Sequence, residues 1–315
     1  MKDMQVSIII VNYNTNDLLR ECLLSIRKYT RDLTYEVIVV DNNSSDNTIS
    51  ILRQEFPWVK VLEAGDNLGF GRANNLGFQV ASGEYFFLLN TDTLLLDNSI
   101  KILYDYLVTH PETGMCGGRI IRKDYSPGEA FNHRWTIGRE IYCTFLPGNL
   151  QRWLRPYLYP ITGSAIREVD YIVGADLMVP RSVVQLTGGF DPDFFMYYEE
   201  SEWAFRVKKA GKSVIYLPSA QIIHLQGASV NKEALLKKRV YREAWISKFL
   251  YFHKVNGMKT PRQLLRVHRL KYSIARCCLF WDSKRMEYWN EKWKTIRECY
   301  RQAQIIIQSH HPKNE

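Results

Sequence analysis

Four short runs of almost unbroken apolar residues, VSIIIV at 6–11, EVIVV at 36–40, VKVLEA at 59–64 and YFFLL at 85–89, are separated by longer segments with helical spacing. DLLRECLLSIRKY at 17–29 puts Leu18, Cys22 and Ile26 on one side of a helix, and NTISILRQEF and GRANNLGFQVA continue the alternation. Strands that are apolar throughout need cover on both faces, and strands joined through helices run parallel. The spacing therefore predicts an α/β fold with a mostly parallel central sheet. Such sheets hold their ligands at the carboxyl ends of the strands.

The polar residues at those ends are Asn12-Tyr13-Asn14, Asp41-Asn42-Asn43, Asp66-Asn67 and Asn90-Thr91-Asp92. Each taken alone is ordinary turn or helix-cap chemistry. Four on one rim, ending in an Asn-x-Asp after a fully apolar strand, point instead to a polar ligand held with a metal. Asp92 reads either as that metal's ligand or as a cap before LLLDNSIKIL. GFGRAN at 69–74 is not a dinucleotide fingerprint, because the GxGxxG pattern is incomplete.

Between about 116 and 168 the pattern loosens into segments rich in Gly, Pro, Arg and aromatics, which predicts a long functional excursion. Regularity returns with VDYIVGADLMVP (169–180), GGFDPDFFMYYEESEWAFRVKKAG, KSVIYLP and QIIHLQGAS. From about 232 the chain is helical and basic. The expected division is a catalytic domain over 1–231, with a donor half to about 115 and an acceptor half from 116, followed by a helical extension over 232–315.

A formal charge of +9, from 42 Lys and Arg against 33 Asp and Glu, suits a polyanion, an anionic membrane surface or a phosphorylated substrate. Nucleic acid is excluded as the partner, since the charges are spread out and no recognised nucleic-acid module is present. Six cysteines without paired spacing read as reduced thiols in a cytosolic protein. The apolar core of the amino terminus is too short for a signal peptide. No run approaches the roughly 18 apolar residues of a spanning helix, so membrane contact is expected to be peripheral.

The stretch FFMYYEESEWAFR at 194–206 carries Glu199, Glu200 and Glu202 beside aromatics. Acidic clusters on helices are commonly a solvated face. On a helix starting near Glu199, however, Glu202 stands four residues before Arg206, so these two are expected to pair.

Taken in order, VSIIIVNYN, VIVVDNNSSD, NLGFGRANNLG, LLNTDT, GGFDPDFFMYYEESEWAFR and HLQGAS resemble the inverting nucleotide-sugar glycosyltransferases of family 2 with a GT-A fold, over roughly residues 5–230. The similarity is strongest to the branch with bacterial rhamnosyltransferases of surface-polysaccharide assembly. It implies transfer from a dTDP- or UDP-sugar to a glycan or lipid-linked glycan acceptor, with a divalent cation, Mg²⁺ or Mn²⁺. The same resemblance implies Asp41 as acceptor for the base imide N–H, Tyr13 as a stacking partner and Asn43 near the ribose. Asp92 becomes the direct metal ligand, and Asn90, where the family motif has its first Asp, a weaker or water-mediated one. His224, which spacing alone would make a packed or surface residue, becomes a second ligand. Arg72 is either a diphosphate partner or a surface residue at a helix start. Gly174 and Asp176 fall on the acceptor side.

Single-displacement transfer needs a carboxylate base for the acceptor hydroxyl. The family's E-D pair places Glu199 at the Glu and Glu200 at the base position, with Glu199 as the alternative base. Here Glu replaces the usual Asp, which keeps the intrinsic acidity nearly unchanged but moves the carboxylate oxygens. Competing expectations are a hexosyl or N-acetylhexosaminyl transferase of the same fold, and a non-catalytic scaffold that binds nucleotide sugar. In the tail, Leu236, Val240, Phe249 and Phe252, then Trp289, Trp293, Ile296 and Tyr300, follow helical spacing among basic residues. They suit an anionic membrane surface or packing on the catalytic domain or a second subunit.

Overall fold

Each of the four apolar runs forms a strand, and a helix joins each of them to the next. In the computed structural model, which describes residues 4–225 and 234–309, without the side chains of 234–237, the order begins β1 (Val6–Asn12), α1 (Asn16–Tyr29), β2 (Tyr35–Asp41), α2 (Thr48–Glu55), β3 (Val59–Glu63), α3 (Phe70–Val80) and β4 (Tyr85–Asn90). These strands are mutually parallel in the order β3-β2-β1-β4, in a register that sets Asn12 beside Asp41. Helix α1 presents Leu19, Cys22, Leu23 and Ile26 to the sheet. Ile8, Ile9, Ile10, Val39 and Leu88 are buried beneath the covering helices, and a fully buried side chain of this kind stabilises by about 1.5–3 kcal/mol.

The chain continues through β5 (Thr93–Leu95), α4 (Ser99–Thr109), β6 (Thr113–Ile121), β7 (Phe131–Asn132), α5 (Ile137–Phe145), α6 (Gly148–Leu158), β8 (Arg167–Glu168), β9 (Tyr171–Ile172), β10 (Asp176–Pro180), α7 (Arg181–Thr187), α8 (Glu199–Lys209) and β11 (Ser213–His224). Strand β10 enters antiparallel between β4 and β6, and β11 lies parallel to β6 and antiparallel to β5. The sheet is therefore mixed but mostly parallel. The segment expected to be loose between 116 and 168 is more regular than its composition suggests. Its first residues complete the buried strand β6, and 137–158 forms two short helices.

Helices α9 (Ala234–Asn256), α10 (Thr260–Cys278) and α11 (Ser283–Ser309) follow. They build a second apolar core from Trp245, Phe249, Leu250, Phe252, Leu264, Ile296 and Cys299, joined by Phe194 from the loop before α8. Of the faces expected from spacing, Phe249, Phe252 and Ile296 are thus turned inward, and Trp293 and Tyr300 pack against the same core. The side chain of Leu236 lies outside the described residues. The extension also clamps the loop before α8. Lys254 Nζ lies 2.5 Å from both Asp191 and Asp193, and Ser247 Oγ donates to the Met196 carbonyl at 2.8 Å. No described helix is long and apolar enough to cross a membrane, and the six cysteines are unpaired.

Candidate active site

At the end of β2 the buried Asp41 accepts from Asn12 Nδ2 at 3.1 Å and from the Ser44 amide at 3.0 Å, one bond to each carboxylate oxygen. Asn12 is the hub of this corner. Its amide also donates to Ser44 Oγ and Thr48 Oγ1, each at 3.0 Å, and its carbonyl accepts from Thr15 Oγ1 at 2.8 Å. Asp41 is thereby fixed in orientation while its oxygens keep lone pairs for a further donor. Tyr13 is half-buried next to this hub, and Asn43 is exposed in a left-handed conformation, φ 66°. Asn42 links the corner to the next loop, donating to Asn67 Oδ1 at 3.0 Å and accepting from the Leu68 amide at 2.9 Å.

That loop ends at Gly69, whose φ of +81° and position against the Phe195 carbonyl leave no room for a Cβ. The Phe70 amide donates to the same carbonyl at 3.0 Å, so the start of α3 and the loop before α8 are built against each other. Arg72 joins them. It is exposed, and its Nε–H donates to the Pro192 carbonyl at 2.6 Å, which leaves its terminal guanidinium nitrogens for other partners.

Asp92 follows β4 and His224 ends β11, and antiparallel pairing of β11 with β5 brings the two together. Asp92 Oδ1 lies 3.1 Å from His224 Nε2, both side chains are largely buried, and the Asp92 carbonyl accepts from the Leu225 amide at 2.8 Å. His224 Nδ1 is buried with no partner among the described residues. Among those residues no three acidic, His or Cys side chains gather as a ready metal cage. One carboxylate and one imidazole on a partly open rim fit a divalent cation that takes its remaining oxygens from a ligand. Asn90 directs its amide N–H to the Ala175 carbonyl at 3.1 Å, and its half-buried side chain stands at the same rim. Of HLQGAS, residues 226–229 lie outside the described residues.

The hydrogen bond from Asn90 leads directly to the acidic helix. Gly174 precedes Ala175, and a Cβ built on it would touch the Phe70 ring at 3.3 Å and Glu200 Cβ at 4.0 Å. Two consecutive left-handed residues, Tyr197 (φ 69°) and Tyr198 (φ 68°), turn the chain into α8. Such conformations cost on the order of 1–3 kcal/mol each and persist where surroundings impose them. Here the Phe194 and Ser247 contacts of the C-terminal core do so. Glu199 is buried, its Oε2 has no partner among the described residues, and burial together with the Glu200 charge holds its carboxyl well above the usual range. Glu200 is only partly buried. Burial, and to a smaller extent the Glu129 charge, raise its carboxyl also, against backbone N–H bonds that pull it down.

The expected Glu202–Arg206 pair is present, with Arg206 Nε at 2.9 and 3.0 Å from the two carboxylate oxygens. Arg206 also donates to the Thr187 and Gly189 carbonyls, so the pair fastens α8 to the end of α7. Asp176, expected on the acceptor side, is 1% exposed, one oxygen accepting from the Gly118 amide at 2.7 Å, and burial pushes its carboxyl up to about 8. It sits within the sheet between β4 and β6. From sequence Asn12 stands on the rim without a role of its own, and Ser44 carries no site assignment. The available signal was the strand-end position of Asn12, directly opposite Asp41 once β1 and β2 are aligned.

Residues 7–172 match the sequence model of Glycosyl transferase family 2. A Mycobacterium tuberculosis N-acetylglucosaminyl-diphospho-decaprenol L-rhamnosyltransferase is 28% identical over 241 residues, 72% of this chain and 78% of the relative. The rhamnosyltransferase WbbL of Escherichia coli is 25% identical, covering 70% and 83%, and the low-salt glycan biosynthesis hexosyltransferase Agl10 of Haloferax volcanii is 28% identical, covering 70% and 67%. Among solved structures, GalNAc-T7 with UDP, GalNAc and Mn²⁺ superposes with a TM-score of 0.57 at 15% identity, over 99% of this chain but only 58% of its own length. S. aureus TarS 1-349 gives 0.55 at 16% identity, over 95% and 81%. These likenesses show the GT-A fold expected from the sequence.

Proposed function

This chain belongs to glycosyl transferase family 2, and from that membership we propose that it is an inverting, metal-dependent rhamnosyltransferase that moves its sugar from a dTDP- or UDP-donor to a lipid-linked glycan. Glycosyl transfer in glycan biosynthesis is common ground with its relatives. The rhamnosyl donor and lipid-linked acceptor are the finer reading, favoured by two rhamnosyltransferases among them, one named for a diphospho-decaprenol acceptor. Such an acceptor would bring the reaction to a membrane surface. The observation that carries the reading is the continuity of the rim, from Asp41 through the Asp92–His224 pair and Asn90 to Gly174 and Glu200.

In this account the pyrimidine imide N–H donates to Asp41, Tyr13 stacks near the base, Asn43 reaches the ribose and the free guanidinium nitrogens of Arg72 meet diphosphate oxygens. Asp92 and His224, with Asn90 beside them, would hold the divalent cation, which offsets the charge of the leaving diphosphate. Glu200 accepts the acceptor hydroxyl proton as oxygen attacks the anomeric carbon from the side opposite the diphosphate. The configuration therefore inverts without a covalent glycosyl-enzyme. Glu200 takes this part because it is the partly exposed member of the pair, whereas Glu199 is enclosed. Gly174 keeps the acceptor's approach to Glu200 clear of a side chain. Asp176 supports that approach from within the sheet.

The test is turnover by the purified chain with a panel of dTDP- and UDP-sugars, an N-acetylglucosaminyl-diphospholipid acceptor, and Mn²⁺ or EDTA. Transfer from dTDP-rhamnose that EDTA abolishes is expected. Preference for a UDP-hexose would favour the hexosyltransferase reading that the Haloferax relative suggests, and equal rates in EDTA would remove the metal.

A further inference from the structure

The C-terminal helices spend their expected apolar faces on one another, yet another apolar surface remains. Helix α10 carries Arg262, Arg266, Arg269, Lys271 and Arg276 and no acidic residue between 260 and 278. Leu270 and Ile274, one turn apart on the same face, are 55% and 47% exposed. Arg266 extends their row by one more turn in the other direction. At the turn into α11, Phe280 and Trp281 are 74% and 70% exposed and pack edge to face, with ring centres 5.0 Å apart. Both are left in solvent rather than in the C-terminal core, and Arg276, Lys284 and Arg285 flank them in the chain.

A second feature lies on the same hairpin. Lys271 and Lys292 stand over a cavity of about 150 Å³ walled by Trp245, Tyr272, Trp289 and Trp293, and neither lysine has an ion-pair partner among the described residues. Burial and the positive charge of Lys292 hold Lys271 below the usual lysine value. Helical rise puts Lys271 about 10 Å from the end of α10 at Cys278, just before the aromatic turn. That is comparable with the distance separating inserted side chains from the lipid phosphates above them, given apolar faces buried about 5–10 Å into the headgroup boundary.

We propose that the α10–α11 hairpin docks on an anionic phospholipid bilayer, with Phe280 and Trp281 inserted at the turn, Leu270 and Ile274 at the interface, and the α10 arginines with Lys271 and Lys292 facing lipid phosphates. Seven cations against one acid between residues 260 and 285 complement such a surface, and aromatics are at home at its boundary. A second copy of this chain would bring the same positive charge to the contact, which argues against it as the occupant. The inference takes its purpose from the lipid-linked acceptor reading. Its content is separate, because docking needs neither donor nor acceptor.

The experiment is vesicle flotation of the full chain with phosphatidylcholine alone, or mixed with phosphatidylglycerol, at low and high salt. Binding to the anionic vesicles that salt weakens is expected, with little binding to phosphatidylcholine. Arg266→Gln with Arg269→Gln should weaken it about 25-fold, from about fivefold per cation at the surface. Phe280→Ser with Trp281→Ser should weaken it by about tenfold or more. Both pairs are solvent-exposed, and unchanged thermal melts will show that folding is intact. Equal binding to both vesicle types, or full binding by the aromatic double variant, overturns the proposal. So does a dimer in sedimentation that the double variant abolishes without any vesicle binding, which assigns the face to a second copy. Failure on vesicles alongside intact sugar transfer in detergent would leave the proposed activity standing.

Discussion

Asp92 Oδ1 and His224 Nε2 lie 3.1 Å apart although 132 positions separate them in the chain. The contact exists because β11 pairs antiparallel with the three-residue strand β5, which sets Thr93 opposite His224. With Asp92→Asn or His224→Ala, kcat should fall by about 10²–10³-fold, the range for losing one preorganised electrostatic contact. The Mn²⁺ concentration giving half-maximal rate should rise. Stopped assays across a Mn²⁺ titration will show both, and a variant with unchanged metal dependence removes that residue from the metal shell.

At the other end of the rim, Asp41→Ala should weaken UDP and dTDP binding by about 1.5–3 kcal/mol, the worth of a hydrogen bond to a charged group. Calorimetric titration measures this directly. GDP binding, which cannot use the same imide contact in the same way, should change less, and an equal loss for all three nucleotides would mean that Asp41 only shapes the turn.

The pH profile reports on Glu200. A base must be deprotonated, and its carboxyl is raised, so kcat/KM should climb with pH along a limb displaced upward from the usual glutamate value of about 4.3. The side-chain charge that raises Glu200 is Glu129, from the segment before β7, and Glu200 in turn raises its neighbours Glu199, Tyr171 and Tyr197. Glu129→Gln removes a negative charge that raises Glu200, so the limb should move to lower pH. A shift in the opposite direction would contradict the assignment.

Asp176 makes a prediction about stability. Its folded value of about 8 exceeds the unfolded value of about 3.9, so the native state binds the extra proton between those limits. Its contribution is full below about pH 4 and is lost as pH rises towards 8. Asp176→Asn keeps an acceptor for the Gly118 amide and cannot ionise. Its melting temperature relative to wild type should therefore increase with pH over that window, as scanning calorimetry will show, and a constant difference would refute the buried neutral acid.

Much of this was legible in sequence because it is local. Apolar runs such as VSIIIV and YFFLL announce buried strands, and Glu202 to Arg206 is one helical turn. The insertion of β10 between β4 and β6 was not, because antiparallel entry into a parallel sheet leaves no periodic mark in 176–180. Helix α6 carries a stripe of Leu150, Trp153, Leu154, Tyr157 and Leu158 at helical spacing, but it buries none of its residues and contains Pro156, so its Gly, Pro and Arg content outweighs the stripe in a reading by composition. In α9 and α11 the stripes were visible, but amphipathicity does not tell a neighbouring helix from a lipid surface. Phe249 and Ile296 proved to share one core, while on α10 Leu270 and Ile274 stay exposed. The rim residues were individually readable at strand ends, whereas the Asp92–His224 contact required the β5–β11 pairing that only the fold supplies.

The most direct test of the account compares Glu200→Gln with Glu199→Gln in single-turnover sugar transfer, alongside calorimetric binding of the nucleotide. The account predicts that Glu200→Gln loses about 10²–10⁴-fold in the chemical step, the usual worth of a general base, with nucleotide affinity unchanged, and that Glu199→Gln retains most of its rate. Near-normal transfer by Glu200→Gln would contradict it.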